Sequence, residues 1–318
     1  MGWGMRTILP RASALVSAAV LAGCIDGTVR ESLKPQARPA GGAAAAPVVA
    51  QPTSQRSAAL RSYLNQVQQA QAGQGLLRQD GGGTDTPFSP DTLARNFEQI
   101  AFYNEYDGSF AGRGGQSPLR RWHAPVRMDV IFGPGVTPSQ RKADASAIRQ
   151  YARRLARVTG HPISSNGAAN FIVIVASEDD RAAALDAAAE QLPGISANSL
   201  RALRNLRRDT YCAVAAYATG PDPNTYTAAV AVIRAENPDL LRLSCIHEEL
   251  AQGLGLANDS PEARPSIFND DDEFALLTRH DELLLKMLYD NRLRTGMTAA
   301  EAAPITRIIA REVMGVAL

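Results

Sequence analysis

The chain has 318 residues with a formal net charge of +1, and 45% of its residues are hydrophobic. Removing the two arginines of residues 1–23 takes the net charge from +1 to about −1, which argues against general nucleic-acid binding because that function needs a strongly basic surface. A local group of arginines at helical spacing is interpreted as a solvated helix face: Arg201, Arg204, Arg207 and Arg208.

Residues 1–23 are predicted to be a secretory signal, because the apolar stretch at 12–22 is too short to cross a bilayer. The stretch ends in Leu21-Ala22-Gly23-Cys24, which resembles the bacterial lipobox. That resemblance implies that Cys24 is lipidated and becomes the mature N-terminus, with enough acyl chain for stable membrane anchoring. An ordinary signal peptide with an incidental cysteine is the alternative. We expect a lipid-anchored, periplasm-facing envelope protein, at the outer membrane in preference to the inner.

The region after the signal predicts a tether followed by a folded domain. Residues 24–55 are rich in Ala, Pro and Gly and too poor in large apolar residues to fold alone. Residues 56–84 hold one helix, with Leu60 and Leu64 on one face, and a Gly-rich linker. The main domain is predicted to span 85–318.

Within that domain, helix and strand signals alternate. The first half is predicted to hold a helix opened by Ser89-Pro90, a strand at 122–132, a helix capped by Thr137 and closed by Gly160, and a buried strand at 171–176. An Ala-rich helical insertion follows, and then strands at 212–218 and 226–234. The chain continues with a helix after Asn237-Pro238 and with helices that have capping boxes at Thr278–Asp281 and Thr298–Glu301. This order predicts an α+β fold.

The helix after Pro238 carries an incomplete zinc-protease motif. His247-Glu248 begins like H-E-x-x-H, but the fourth residue after His247 is Ala251. One residue later, EELAQGLGLAN at 248–258 overlays the longer H-E-x-x-H-x-x-G-x-x-H pattern. In this register the chain resembles the metzincins, since Glu249 and Gly255 match. The ligand positions are occupied by Glu248, Gln252 and Asn258.

The resemblance to metzincins continues beyond the motif. Phe268 lies where that family has the methionine of its Met-turn, and 278–289 is similar to the closing helix of matrix-type members. The resemblance implies a zincin-like mixed sheet with long helices, together with additional N-terminal and C-terminal helices. It also implies that the strand before the motif helix, 226–234, lies at the sheet edge and pairs with an extended peptide or protein partner.

The substituted ligand positions predict a weak zinc site, because zinc prefers thiolate, imidazole and carboxylate ligands. A harder ion such as calcium needs several more oxygens, which Asp259 and the run 269–273 can supply. We interpret these acids as solvated loop residues in preference to a calcium site, and expect no metal and no cofactor. Glu248 and Glu249 are an alternative acid/base pair, although successive helix residues seldom share one pocket.

Two histidines near the motif do not fit the metzincin ligand set. His247 points about 100° away from Glu248 around the helix and is expected to be structural. His280 stands at the start of a predicted helix and is expected to be exposed.

The two remaining cysteines, Cys212 and Cys245, leave three possibilities open. A disulfide suits an oxidising export compartment and would close a loop of 33 residues. Two buried thiols are common core residues. A Cys245–His247 dyad is the weakest of the three, because residues i and i+2 of a helix do not face each other.

Four motifs together are similar to a bacterial family of lipoproteins known only as domain-of-unknown-function family 2927: WHAPVRMDVIF, EELAQGLGLAND, PSIFNDDDEF and LLTRHDELLLKMLYD. That resemblance implies a fold and no activity. We favour a non-catalytic domain that binds a peptide or protein. The alternatives are a metal-dependent peptidase or hydrolase with Glu249 as general base, its metal held by Glu248, Asp259, His247 or His280, and a purely structural envelope domain.

Overall fold

The computed structural model describes residues 53–105, 114–192 and 194–316. The helices are α1 (Gln55–Gly73), α2 (Pro90–Ala101), α3 (Pro138–Thr159), α4 (Arg181–Gln191), α5 (Ala197–Arg204), α6 (Asp239–Gln252), α7 (Arg279–Leu288) and α8 (Ala299–Val313). The strands are β1 (Arg121–Trp122), β2 (Val126–Phe132), β3 (Ile163–Ser164), β4 (Phe171–Ala176), β5 (Cys212–Tyr217), β6 (Thr225–Tyr226) and β7 (Ala228–Arg234). The predicted α+β class is confirmed.

Five strands form the main sheet in the order β3-β2-β4-β7-β5. Strands β3, β2, β4 and β7 are parallel, whereas β5 runs antiparallel to β7. A second, two-stranded sheet pairs β1 with β6. Strand β5 is therefore an edge strand of the main sheet, and it is the one that runs against the direction of the others.

The central strands are apolar on both faces because helices cover both sides of the sheet. Alternate residues of β4 point to opposite sides, so Phe171 joins the core beneath α3, α6 and α7, and Ile172 joins the core beneath α4 and α5. The larger core also includes α2 and α8. All six residues of β4 are buried.

Helix α1 packs against the start of α6. Leu60 and Leu64 form a small apolar cluster with Leu241. The Leu241 backbone N–H donates to Gln68 Oε1 at 2.9 Å, which satisfies one of the free donors in the first turn of α6. The helix predicted before residue 85 thus contacts the element that carries the motif.

Two predicted strand assignments need correction. The strand expected at 122–132 is divided into β1 and β2 by a break at residues 123–125, which ends in Pro125, a residue without an N–H for a sheet ladder. The edge position expected for 226–234 is wrong. Strand β7 pairs with β4 on one side and β5 on the other, and all seven of its residues are buried. Its nearly continuous apolar sequence suits an interior strand.

Several predicted termini are confirmed. Thr137 caps α3 by accepting from the Gln140 N–H, and Gly160 ends the helix in a left-handed conformation. Both halves of the capping boxes at Thr278 and Thr298 are present. Among the described residues, no helix has the length and apolarity needed to cross a membrane. The predicted signal, Cys24 and most of the tether lie outside the described residues.

Candidate functional site

Helix α6 ends beside β5 and places the motif residues at that point. The helix stops at Gln252, and Gly255 then has a φ of 128°, a conformation that favours glycine. A Cβ on Gly255 would come within 2.4 Å of the Arg120 carbonyl oxygen. Gly255, which matches the motif glycine, is therefore required by this turn and by the close approach of the chain before β1.

The carboxylates of Glu248 and Glu249 lie together. One oxygen of each is within 4.8 Å of the other and of Cys212 Sγ. The expectation that these successive residues do not share a pocket is wrong, because both side chains reach the space between the end of α6 and the start of β5. Cys212 is half of a disulfide and offers no thiolate.

Glu249 is the more buried member of the pair. Glu249 is only 4% exposed to solvent. Its Oε2 atom is inaccessible to solvent and has no hydrogen-bond partner among the described residues. Burying a carboxylate oxygen without a partner is unfavourable in free energy, so we expect the Glu249 carboxylate either to bind a ligand or to carry a proton.

Gln252 and Asp259 complete this end of the site. The Gln252 Nε2 amide donates to Asp259 Oδ1 at 3.2 Å. Asn258, which the motif register placed in the ligand set, points away: its amide donates to the carbonyl oxygens of Gln99 and Asp259 at 2.9 and 2.8 Å. Asp259 therefore lies on the side of the loop that faces Gln252, where the motif register had placed Asn258. We define Glu248, Glu249, Gln252 and Asp259 as the acidic pocket.

The acidic pocket opens into a groove of about 1190 Å³ that follows β5. Consecutive residues from Cys212 to Ala216 line its length, and residues of α5 line part of its wall. Seven carboxylate residues and three arginines line it: Glu105, Asp209, Glu248, Glu249, Asp259, Asp270, Asp272, Arg120, Arg201 and Arg207. The groove is therefore acidic, and its most buried acids lie at the α6 end.

Burial and mutual repulsion shift the pKa values of these acids upward. Burial raises the pKa of the Glu249 carboxyl well above its ordinary value, and the charges of Glu105 and Asp259 raise it further. Burial, then Glu249 and Glu105, do the same to the pKa of Glu248. The pKa of Asp259 rises through burial and the charges of Glu105 and Glu248. Packing several acids so closely favours their neutral forms unless a cation is bound.

Neither histidine near the motif faces the groove. The His247 ring stacks on Tyr151 at 4.0 Å between ring centroids, and its Nδ1 accepts from the Leu277 N–H at 3.0 Å. Burial lowers the pKa of His247 to about 3, which keeps the ring neutral. His280 is fully buried beside Asn96, 3.1 Å from its amide, so the expectation that His280 is exposed is wrong.

The segment after the motif contributes Ile267, Asn269, Asp270 and Asp272 to the lining of the groove. Phe268 is fully buried in the main core, and its carbonyl accepts from the Ser260 N–H at 2.8 Å. Ser266 donates to Asp281 Oδ1 at 2.5 Å, which joins this segment to α7. Phe268, at the position compared with the Met-turn methionine, thus fills the core beneath this loop.

The disulfide between Cys212 and Cys245 is present, with 5.8 Å between the Cα atoms. It joins the first residue of β5 to the middle of α6. Of the three possibilities left open by the sequence, this one is confirmed. The bond holds the edge strand against the helix that carries Glu248 and Glu249.

The outer side of β5 presents backbone hydrogen-bonding groups. The Arg234 N–H donates to the Tyr211 carbonyl across the β5–β7 ladder. In an antiparallel ladder, successive residues direct their backbone groups alternately toward and away from the neighbouring strand. Because Tyr211 is bonded to β7, the backbone N–H and C=O groups of Cys212, Val214 and Ala216 point away from β7. No other strand of the described residues pairs with that side.

One residue of the groove was missed by sequence reasoning. Glu105 lies more than 140 positions before the motif, in a segment whose backbone N–H donates to the Ala257 carbonyl at 3.0 Å. No local pattern marks it, because only the folded chain places it near the end of α6. Asp270 and Asp272 belong to the acidic run that the sequence did single out.

The fold and the groove define a mixed α+β domain with an acidic pocket beside an antiparallel edge strand. Residues 90–308 match the family described as "Protein of unknown function" (DUF2927), and the chain belongs to this family. The resemblance to that family is thereby confirmed. No curated protein and no solved structure matches the chain.

Proposed function

We propose that this protein is a non-catalytic binding domain that takes an extended peptide segment along β5. The observation that carries the proposal is the outward-facing backbone of Cys212, Val214 and Ala216 on the groove. Strand addition at a sheet edge obtains affinity from such main-chain hydrogen bonds and specificity from the adjoining pockets.

The shape of the groove supports an extended occupant. It borders five consecutive residues of β5, Cys212–Ala216, and the side chains there are small. Cys212, Val214 and Ala216 pack toward the same core as α6, so alternate side chains of an added strand would also point toward that side. The disulfide keeps this strand fixed to α6, which reduces the conformational entropy lost on binding.

The proposal also includes the setting of the domain. We propose that the domain has a metzincin-like ancestry, supported by the register of Glu249 and Gly255, and that it is a lipoprotein anchored through Cys24. A disulfide is typical of exported proteins, which agrees with an envelope location. The partner would then be another envelope protein or an exported peptide.

The test is a display selection of random peptides on the purified mature chain, followed by binding measurements on Val214→Pro. Proline removes the outward N–H of an edge strand without removing a bond of the β5–β7 ladder. The matched control is Val214→Thr, which keeps the N–H and the β-branched shape. We expect Val214→Pro to lose binding and Val214→Thr to keep it. Selected peptides that bind both variants equally would contradict strand addition.

A metal-dependent hydrolase with Glu249 as general base is the second candidate. Its supporting observation is the unpartnered Glu249 Oε2. The two histidines offered as metal ligands lie away from the groove, which leaves an oxygen-only donor set, and such a set is poorly suited to zinc. Cleavage of an unstructured protein such as casein by the wild type and its loss in Glu249→Ala would favour this candidate over the binding domain.

A further inference from the structure

We propose that the acidic pocket is a calcium site, in which Glu248, Glu249, Gln252 and Asp259 supply oxygen ligands. The proposal goes beyond peptide binding, because it concerns the end of the groove at α6 and needs no peptide. The remaining coordination positions would be taken by water or by other oxygens of the groove.

The first argument is the charge that the pocket concentrates. Carboxylate oxygens of Glu248 and Glu249 approach within 4.8 Å, and Asp259 is joined to the same helix end through Gln252. Among the described residues, none of these three acids forms an ion pair with Lys, Arg or His. Buried charges without partners are strongly unfavourable, and a divalent cation is the partner that neutralises two of them at once.

The second argument is the unpartnered oxygen. Glu249 is 4% exposed, it lines the groove, and its Oε2 atom makes no hydrogen bond among the described residues. Most buried polar atoms in folded proteins have a partner, and an exception indicates an additional ligand such as an ion. Gln252 is also buried, and because its amide nitrogen donates to Asp259, its carbonyl oxygen is left as a further acceptor.

The donor chemistry selects the ion. All four side chains offer oxygen, and no thiolate or imidazole is available, because Cys212 is oxidised and His247 faces Tyr151. Calcium takes six to eight oxygens in flexible geometry, whereas magnesium demands a near-ideal octahedron and zinc prefers nitrogen and sulfur. A helix end and an irregular loop form the flexible arrangement that calcium accepts.

The test is isothermal titration of CaCl₂ into the mature chain after its metals are removed with EDTA, with MgCl₂ and ZnCl₂ titrated in parallel. We expect one calcium per chain, with a dissociation constant on the order of 0.1–1 mM, as in extracellular calcium modules. Glu249→Gln should weaken calcium binding by about tenfold or more, since it removes one ligand charge. The matched control Glu262→Gln, at an exposed position nearby, should bind calcium like the wild type.

Thermal unfolding separates a lost ligand from a lost fold. Without metal, Glu249→Gln should melt at the same temperature as the wild type or higher, because it relieves repulsion in the pocket. At the same calcium concentration, calcium should raise the melting temperature of the wild type more than that of Glu249→Gln. Three results would overturn the proposal: no calcium uptake at about 10 mM, well above the extracellular range; tighter binding of zinc than of calcium; or calcium binding that survives in both Glu248→Gln and Glu249→Gln.

Discussion

Replacing Asp272 by Asn should remove part of the pH dependence of stability of the metal-free protein. Asp272 lies on the groove, where its Oδ2 accepts from Gln71 Nε2 at 2.5 Å. Its φ is 55°, a left-handed conformation that asparagine also tolerates, so the substitution keeps the backbone. Burial first, and then the charges of Asp271 and Asp270, raise the pKa of Asp272 from 3.8 to about 6.

The direction of this pH dependence follows from which state of the protein, folded or unfolded, keeps the proton on Asp272. Between about pH 4 and pH 6 the folded protein keeps a proton on Asp272 that the unfolded chain has released, so the free energy of unfolding falls as pH rises. A pKa change from 3.8 to about 6 corresponds to at most about 3 kcal/mol at 1.36 kcal/mol per pH unit. Because the residue is partly exposed, solvent screening reduces the expected value to about 1–2 kcal/mol.

The assay is urea unfolding of wild type and Asp272→Asn in EDTA at several pH values from 4 to 7. The wild type should lose about 1–2 kcal/mol relative to the variant across this range. The control is Asp222→Asn: the Thr225 hydroxyl lowers the pKa of Asp222, so its contribution to stability changes only below about pH 4, and the difference between the wild type and that variant should stay nearly constant from pH 4 to 7. A difference for Asp272→Asn that is flat, or that rises with pH, would refute the reasoning.

Two further predictions concern the covalent features. Reducing the Cys212–Cys245 disulfide, which closes a loop of 33 residues, should lower the free energy of unfolding by about 3.7 kcal/mol in the chain-entropy model. Urea unfolding with and without dithiothreitol measures this, and a Cys212→Ala/Cys245→Ala variant should not respond to the reductant. Cys24→Ser should move the protein from the membrane fraction to the soluble fraction of a cell lysate, as detected by immunoblotting. An unchanged membrane fraction would contradict lipid anchoring.

Local sequence patterns were enough to predict much of the fold. Helix α3 begins at a capping threonine and ends at Gly160, and both signals act through bonds within a few residues. The run FIVIVA predicted a central strand because burial on both faces leaves no polar alternation. The family resemblance and the register of Glu249 and Gly255 were likewise readable from short segments.

Strand order was decided only by the tertiary structure. The sequences of β5 and β7 are both short and apolar, and neither records which neighbour it pairs with. The edge was therefore assigned to the wrong strand. Pairing of β7 with both β4 and β5 depends on how the helices pack on the two faces, which no local signal encodes.

The site shows the same division between local and long-range information. The sequence by itself determined which residue types α6 presents, and therefore that the positions compared with the metzincin ligands carry oxygen donors and no histidine. Only the tertiary structure brought Glu248 and Glu249 together against Cys212, turned Asn258 away and added Glu105 from a distant segment. The physical reason is that burial, and the interaction of charges separated by many residues, exist only once the chain has folded.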